Sequence, residues 1–324
     1  MINDLLNLFN ESFIPVIGML GVFFAFIATC VCIGALKKYL PQDMGREFAH
    51  NGALSAGKPR GAGFIFVIVF ITTVCVFAKM NYEIAIYVIL VGAAMLTGFL
   101  DDAAKTPWGE LKKGLFDLVI AIMIAITYLN CNGNTITIAM TGDKVTIHPI
   151  VFGILVVILV WVSINVTNCT DGVDGLSGTL AIITMLAIYV IDKVLLVNDD
   201  FNYTILIFVV CILGYLWFNA TPSVLLMGDA GSRAMGLYIA IAILKTGSPL
   251  LYLLVGLIFI IDGGLGLLKV SLLRFLKIKI MKNIRTPIHD HVRKVWDWSN
   301  TQTVFRFAII HIMICVATVY LIMI

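Results

Sequence analysis

Apolar runs of up to about two dozen residues recur along the whole chain, separated by short polar segments. About twenty residues in a helix cover the ~30 Å of a bilayer's hydrocarbon core. The runs predict ten spans, at roughly Phe13–Leu36, Gly61–Ala78, Ile84–Leu100, Leu115–Leu129, Ile150–Val166, Leu176–Val197, Tyr203–Phe218, Ala234–Lys245, Leu250–Leu273 and Thr303–Ile322. Backbone groups in hydrocarbon must be satisfied internally, so repeated runs of this length give a helical bundle and not a barrel. The eighth run is short, and the ninth contains Asp262-Gly263-Gly264 and Gly266, where a break or strong bend is expected. Between Asn134 and Ile147, apolar and polar residues alternate about a Thr141-Gly142-Asp143 turn, which reads as a small β-hairpin.

Composition removes the soluble alternatives. The 324 residues are 60% hydrophobic and 13% charged, with a mean hydropathy of +1.03, outside the range of water-soluble globular domains. Seven cysteines, odd in number and without a C-x-x-C pair, argue against a disulfide framework and a zinc site. Asp4 and Glu11 precede the first apolar run and Lys37-Lys38 follow it, opposite to a cleavable signal peptide, so that run is expected to be a true span.

Charge sets the orientation. If the loop after the first span faces the cytoplasm, all of the 22 Lys and Arg residues except Lys79, Lys144, Lys193 and Lys245 fall on that side. Positive charge collects inside, so both termini are expected outside and the hairpin external. Lys269 to Lys294 mixes cations with Leu, Phe and Ile, as a positive flank with an interfacial helix does. The fold class expected is an all-α integral membrane protein. It is one polytopic domain over residues 1–324, with ten transmembrane helices, a bent or broken ninth helix and a small external β-hairpin. No nucleic-acid partner is expected.

On this orientation the unusual polar stretches all lie in cytoplasmic loops. The segment Asn165-Val-Thr-Asn168-Cys-Thr-Asp171-Gly172-Val-Asp174-Gly-Leu-Ser-Gly178 holds more polar residues than a turn between two apolar runs requires. Asp101-Asp102-Ala-Ala-Lys105 follows the third span. Phe218-Asn219-Ala-Thr-Pro222 follows the seventh and runs into Met227-Gly228-Asp229-Ala-Gly231-Ser232, and Pro287-Ile-His289-Asp290-His291 follows the ninth. Four loops would converge on one face, as a site built from helix ends requires.

Adjacent carboxylates repel, so Asp101-Asp102 is expected to be held by a metal or by a cation such as Lys105. Asp229, between glycines that permit close approach, is a third carboxylate. Few carboxylates beside cations suit Mg²⁺, which keeps waters and borrows phosphate oxygens. His289 and His291, near Arg285, Arg293 and Lys294, are candidate donors to a phosphate or diphosphate. His50, His148 and His311 have no convergent partners and read as structural. Asp262, inside the ninth span, reads either as a functional residue or as one that satisfies a broken helix.

These motifs, in this order, resemble the polyprenyl-phosphate N-acetylhexosamine 1-phosphate transferase superfamily, most closely its muramoyl-pentapeptide branch, over nearly the whole chain. The resemblance rests on Asp101-Asp102-x-x-Lys105, on Asn165-x-x-Asn168-x-x-Asp171-Gly-x-Asp174-Gly-Leu, and on Phe218-Asn219-x-x-Pro222 with Met227-Gly228-Asp229-x-Gly231-Ser232. It implies transfer of phospho-MurNAc-pentapeptide from UDP-MurNAc-pentapeptide to undecaprenyl phosphate, giving lipid I and UMP, with Mg²⁺ as cofactor in a membrane homodimer. It also implies roles. Asp229 would ligate Mg²⁺, Asp101 would act on the lipid phosphate as base or orienter, and Asp102 would support the metal–diphosphate region. Asn168, Asp171 and Asp174 would line the nucleotide pocket, with Asn219 near the diphosphate and His289 and His291 on the substrate. Lys105, Asn165, Gly172, Leu226, Met227 and Gly228 would also bind substrate.

The chain departs from the family pattern in places. Asp290 stands where the middle of three histidines is usual, Arg293 where an acid is usual, and Leu226 where an aromatic often stacks on the nucleobase. In Ala56-Gly57-Lys58-Pro59-Arg60-Gly61-Ala-Gly63 the usual cation is displaced, so that Lys58 or Arg60 would substitute for it. Lys112 and Lys113 are further phosphate-binding candidates. A sibling transferase using UDP-GlcNAc would share the nucleotide and metal motifs, and the Pro-x-His-x-His loop favours the muramoyl branch over it. A secondary transporter would instead place its polar residues near the midplane within paired repeats.

Overall fold

A computed structural model describes residues 14–45, 55–104, 106–197 and 200–324. Each of the ten apolar runs forms helix. These are α1 (Ile14–Leu36), α2 (Gly63–Phe77), α3 (Tyr82–Asp102), α4 (Glu110–Asn132), α5 (Pro149–Thr170), α6 (Leu176–Val194), α7 (Phe201–Asn219) and α8 (Gly228–Lys245). A broken ninth unit follows, and then a short α12 (Ile288–Val295) and α13 (Asn300–Met323). Local chemistry sets several ends. Asn81 accepts the Ile84 N–H at 2.8 Å to start α3, Pro149 opens α5, and Ser299 with Gln302 forms a capping box on α13.

Among the described residues, α1, α3, α4, α5, α6, α7 and α13 are long and apolar enough to cross a membrane, and the broken unit makes an eighth if counted as one span. The chain is a multi-pass membrane protein. α2 is apolar but only 15 residues long. α8 falls outside the seven because its first turns carry Asp229, Ser232 and Arg233.

α8 is buried along its entire length and is the axis of the bundle. Small residues let its neighbours close on it. A Cβ on Gly63 of α2 would strike the backbone of Gly231, one on Gly98 of α3 the backbone of Asp229, and one on Gly236 the Ser163 carbonyl of α5 at 2.6 Å. At the end of α8 remote from Asp229, Lys245 Nζ lies 2.9 Å from Glu83 Oε2 and 3.1 Å from Asn132 Oδ1, and Tyr87 donates to Glu83 at 2.9 Å. This buried cluster ties α8 to α3 and α4 with its polar atoms paired, as burial in hydrocarbon requires.

The hairpin is present as β1 (Thr135–Thr137) antiparallel to β2 (Lys144–Thr146), with Ile136 opposite Val145. It docks through the Thr137 N–H to the Gly247 carbonyl at 2.8 Å. The ninth unit bends by 65° between Pro249–Val255 and Leu257–Phe275, at Gly256, earlier than the sequence suggested. At Asp262-Gly263-Gly264 the chain instead forms a π-turn (Ile260–Gly264) between α10 (Leu257–Phe259) and α11 (Leu265–Phe275), α9 (Tyr252–Val255) lying before the bend.

Candidate functional site

The end of α3, the start of α4, the start of α8 and the Lys58–Gly61 segment meet at one point. Backbone pairing brings the segment there: Arg60 bridges to Leu226, and Gly63 donates to the Met227 carbonyl at 3.0 Å. Leu226 and Met227 therefore hold the loop before α8 against the Arg60 segment. Gly228 takes φ +70°, a left-handed turn that a Cβ would block by meeting Asp102.

Three carboxylates, Asp101, Asp102 and Asp229, fill this junction with two cations, and a fourth, Asp43, stands behind Arg60. Asp102 Oδ1 accepts the Asp229 N–H at 3.1 Å and Oδ2 the Ala230 N–H at 3.0 Å, so Asp102 caps α8. Arg60 Nε lies 2.8 Å from Asp102 Oδ1, Nη2 3.3 Å from Asp229 Oδ1 and Nη1 3.2 Å from Asp43 Oδ1. Lys113 Nζ lies 2.9 Å from Asp229 Oδ2 and also pairs with Asp101 Oδ2, while Asp101 Oδ1 accepts the Trp108 N–H at 2.6 Å. Burial alone would pull the Arg60 guanidinium down, but Asp102, Asp229 and Asp43 outweigh it and hold the group above its ordinary range.

No group of three or more His, Cys, Asp or Glu side chains among the described residues is arranged to hold a metal ion. The donor set is nonetheless all carboxylate oxygen, and one Lys113 ammonium bridges Asp101 and Asp229. Those two acids thus already face a shared positive charge, the chemistry a hard divalent cation offers.

A second group adjoins the first. Asn168 donates to Ser232 Oγ at 2.8 Å, and Ser232 to the Gly228 carbonyl at 3.0 Å, linking the end of α5 to the α8 cap. Asp171 Oδ1 accepts from Ser177 at 2.8 Å. Asp174 Oδ2 accepts the Ser223 N–H at 3.2 Å and lies 3.9 Å from Lys58 Nζ, which donates to Ser223 Oγ at 2.9 Å. Asn219 accepts the Gly175 N–H and donates to the Leu225 carbonyl, both at 2.8 Å, stitching two motif loops together. His289 reaches the same region: a Cβ on Gly172 would fall on its Nε2.

A model of the glycosyl transferase family 4 matches residues 84–247, half of the chain and the part holding the three carboxylates. The phospho-N-acetylmuramoyl-pentapeptide-transferase of Treponema pallidum (strain Nichols) is 38% identical over 318 residues, covering 93% of this chain and 87% of the relative. The chain belongs to the phospho-N-acetylmuramoyl-pentapeptide-transferase family. More distant members include that of Dictyoglomus turgidum, 28% identical over 272 residues (82% of this chain, 84% of the relative). That of Rubrobacter xylanophilus is 25% identical over 313 residues (90% and 93%).

Against the phospho-N-acetylmuramoyl-pentapeptide-transferase motifs, the structure brings together Asp101, Asp102 and Asp229, and beside them Asn168, Asp171, Gly172, Asp174, Asn219, Leu226, Met227, Gly228 and His289. Lys105 and His50 lie outside the described residues. Among the described residues the cations on the aspartate pair are Lys113 and Arg60. Lys112 instead stands over the Trp108 ring, 3.4 Å from its centroid. Asn165 and His291 each hold a local contact. Asn165 donates to the Trp161 carbonyl of its own helix at 2.8 Å. His291 Nδ1 accepts the Arg285 N–H at 3.2 Å and packs edge-on to Trp296. His311 is buried and bonded to Thr184 at 2.8 Å, a structural role.

The departures from the family pattern pair with each other: Arg293 donates to Asp290 at 3.4 Å. Burial pulls the Arg293 guanidinium below its ordinary range, against the opposing charges of Asp290 and Asp174. Two participants escaped sequence reading. Asp43 holds Arg60 from a loop with no motif spacing. Asp117 pairs with Arg233 at 2.5 Å between α4 and α8, one helical turn beyond Lys113 and Asp229. The second pair was discoverable as two charges at i+4 from two site residues.

Proposed function

We propose that the chain transfers phospho-MurNAc-pentapeptide from UDP-MurNAc-pentapeptide to undecaprenyl phosphate, forming lipid I and UMP for peptidoglycan. The observation that carries this reading is the 38% identity over 93% of the chain to a relative of that name, with the family's acidic motifs meeting at one junction. An oxygen of the lipid phosphate attacks the β-phosphorus, the bond from that phosphorus to the oxygen bridging the α-phosphorus breaks, and UMP leaves with the bridging oxygen. A charged phosphate is already a nucleophile, so direct attack needs no enzyme-bound intermediate.

Asp229, facing Asp101, would hold Mg²⁺, which would supply charge neutralisation to the phosphoryl oxygens. Asp101, fixed by the Trp108 N–H and Lys113, orients the lipid phosphate. Asp102 keeps Asp229 in place from beneath and fixes Arg60. Arg60 and Lys113 supply positive charge to the diphosphate, and Lys105 is a further substrate-binding candidate from the sequence. Asn168, Asp171, Gly172 and Asp174 line the nucleotide side with Leu226, Met227 and Gly228. Asn219 braces that wall, and His289 faces the substrate. Asn165 and His291 contribute through their loops.

On this reading the bundle crosses the bacterial plasma membrane ten times, with α2 and the sheathed α8 as the two crossings that length and hydropathy alone do not select. The site is cytoplasmic, the termini and hairpin are outside, and two copies form a homodimer. The division of Lys and Arg supports this orientation.

The test is a transfer assay in detergent with undecaprenyl phosphate and Mg²⁺, supplying UDP-MurNAc-pentapeptide or UDP-GlcNAc and detecting UMP. Release from the muramoyl donor alone is the expected result. Release from UDP-GlcNAc alone would assign the chain to the sibling reaction, and release from neither would defeat the transferase reading.

A further inference from the structure

Asp262 is fully buried in the π-turn of the broken ninth unit. An intramembrane carboxylate is costly to keep and marks a site unless its partner accounts for it. Both of its oxygens go to one residue. Oδ1 accepts the His289 backbone N–H at 2.7 Å, and Oδ2 takes the ring Nδ1 at 2.8 Å. The first bond satisfies an amide in the opening turn of α12, and the second acts on the imidazole itself.

A carboxylate accepts and does not donate, so the ring carries a hydrogen on Nδ1 and its direction is fixed. Nε2 then points at Gly172 and lies 4.0 Å from Asp290 Oδ1. The π-turn is itself seated on the helix that ends in the Asn168–Asp174 motif, because Gly263 packs against the Val166 carbonyl and Cys169 of α5. A Cβ at 263 would meet Cys169 at 3.0 Å. The π-turn, Asp262, His289 and Gly172 thus form one continuous mechanical connection from the ninth unit to the nucleotide-side loop.

We propose that Asp262 is a positioning residue for the transfer reaction: it sets the tautomer and aim of His289, so that Nε2 is presented across Gly172 to a phosphoryl oxygen of the donor. The inference rests on the transferase reading above. When Nε2 takes a proton to donate to a diphosphate, the adjacent Asp262 charge offsets the imidazolium, as a buried carboxylate does behind a catalytic histidine. His289 touches the substrate, and Asp262 acts only through it.

The test compares Asp262→Asn, His289→Asn and the double variant in the full chain, by UMP release from UDP-MurNAc-pentapeptide and by ¹⁵N-histidine NMR. Asp262→Asn is expected to lower kcat/KM by about tenfold to a hundredfold, and the double variant to be no slower than His289→Asn alone. The histidine signal that vanishes in His289→Asn should report hydrogen on Nδ1 in the wild type and move in Asp262→Asn. Turnover within twofold of wild type, losses that multiply in the double variant, or an unmoved signal would each overturn the inference while leaving the transferase reading intact. A wild-type chain that releases no UMP would instead sink both, and for the earlier reason.

Discussion

The carboxylate of Asp102 closes the N-terminus of the helix whose first turn carries Asp229, accepting the N–H groups of Asp229 and Ala230 at 3.1 and 3.0 Å. One acid of the site is therefore the cap that positions another. Side-chain caps are worth about 0.5–2 kcal/mol, and a negative charge at a helix N-terminus adds to that. Asp102→Ala is expected to destabilise the chain by about 1–2 kcal/mol and to lower turnover as well. Thermal unfolding in detergent checks the first effect, and an unshifted midpoint would show that the cap is not needed.

Asp229→Asn and Asp101→Asn should behave differently. The Asp229 oxygens face Arg60 and Lys113, and Asp101 divides its oxygens between Lys113 and the Trp108 N–H; neither caps a helix as Asp102 does, so the loss falls on phosphate chemistry. Turnover should drop by about a thousandfold or more in a protein that still extracts and unfolds cooperatively. Normal UMP release from either variant would remove that residue from the site.

Metal dependence has a readout that needs no turnover. Chelation should stop UMP release, and returning Mg²⁺ should restore it. Binding to the native state alone raises stability, so Mg²⁺ should also raise the unfolding midpoint of the chelated wild type but not of Asp229→Asn. A rise of equal size in both proteins would place the ion elsewhere.

The buried Arg233–Asp117 pair leaves the Arg233 Nε and Nη1 atoms without hydrogen-bond partners among the described residues. Removing one partner strands a charge, and Arg233→Leu or Asp117→Leu alone should cost about 3–5 kcal/mol. The double Leu variant should recover most of that loss. Chemical denaturation of the three variants decides it, and a double variant as unstable as the singles would mean that the pair has a further partner.

Much of the bundle was legible because lipid forces the backbone into helices and the side chains into long apolar runs. α8 was half legible. Its second half reads as a span, but its first turns look like a loop, since Asp229, Ser232 and Arg233 are satisfied by Asp102, Asn168 and Asp117 from three regions of chain. Those partners are set by packing and leave no trace in local spacing. Lys113 and Arg60, which do pair with the aspartates, come from a neighbouring helix and a distant loop segment that no local spacing connects to them. The bend at Gly256 was missed because Asp262-Gly263-Gly264 carries the stronger helix-breaking signal. A π-turn absorbs that signal without a sharp change of direction.

The Lys245–Glu83 pair lies at the end of α3 and α8 away from the acids. Glu83 and Asp101 are eighteen residues apart on α3, five full turns, so both ends of one helix face the same neighbour. α3 and α8 therefore act as two struts bolted at both ends, and their lengths cannot drift independently. Deleting one residue from the middle of α3 would swing Asp101 and Asp102 through about 100° relative to Glu83, undoing either the bolt or the reaction centre. These two helices serve as the ruler by which the gap between the acids is kept.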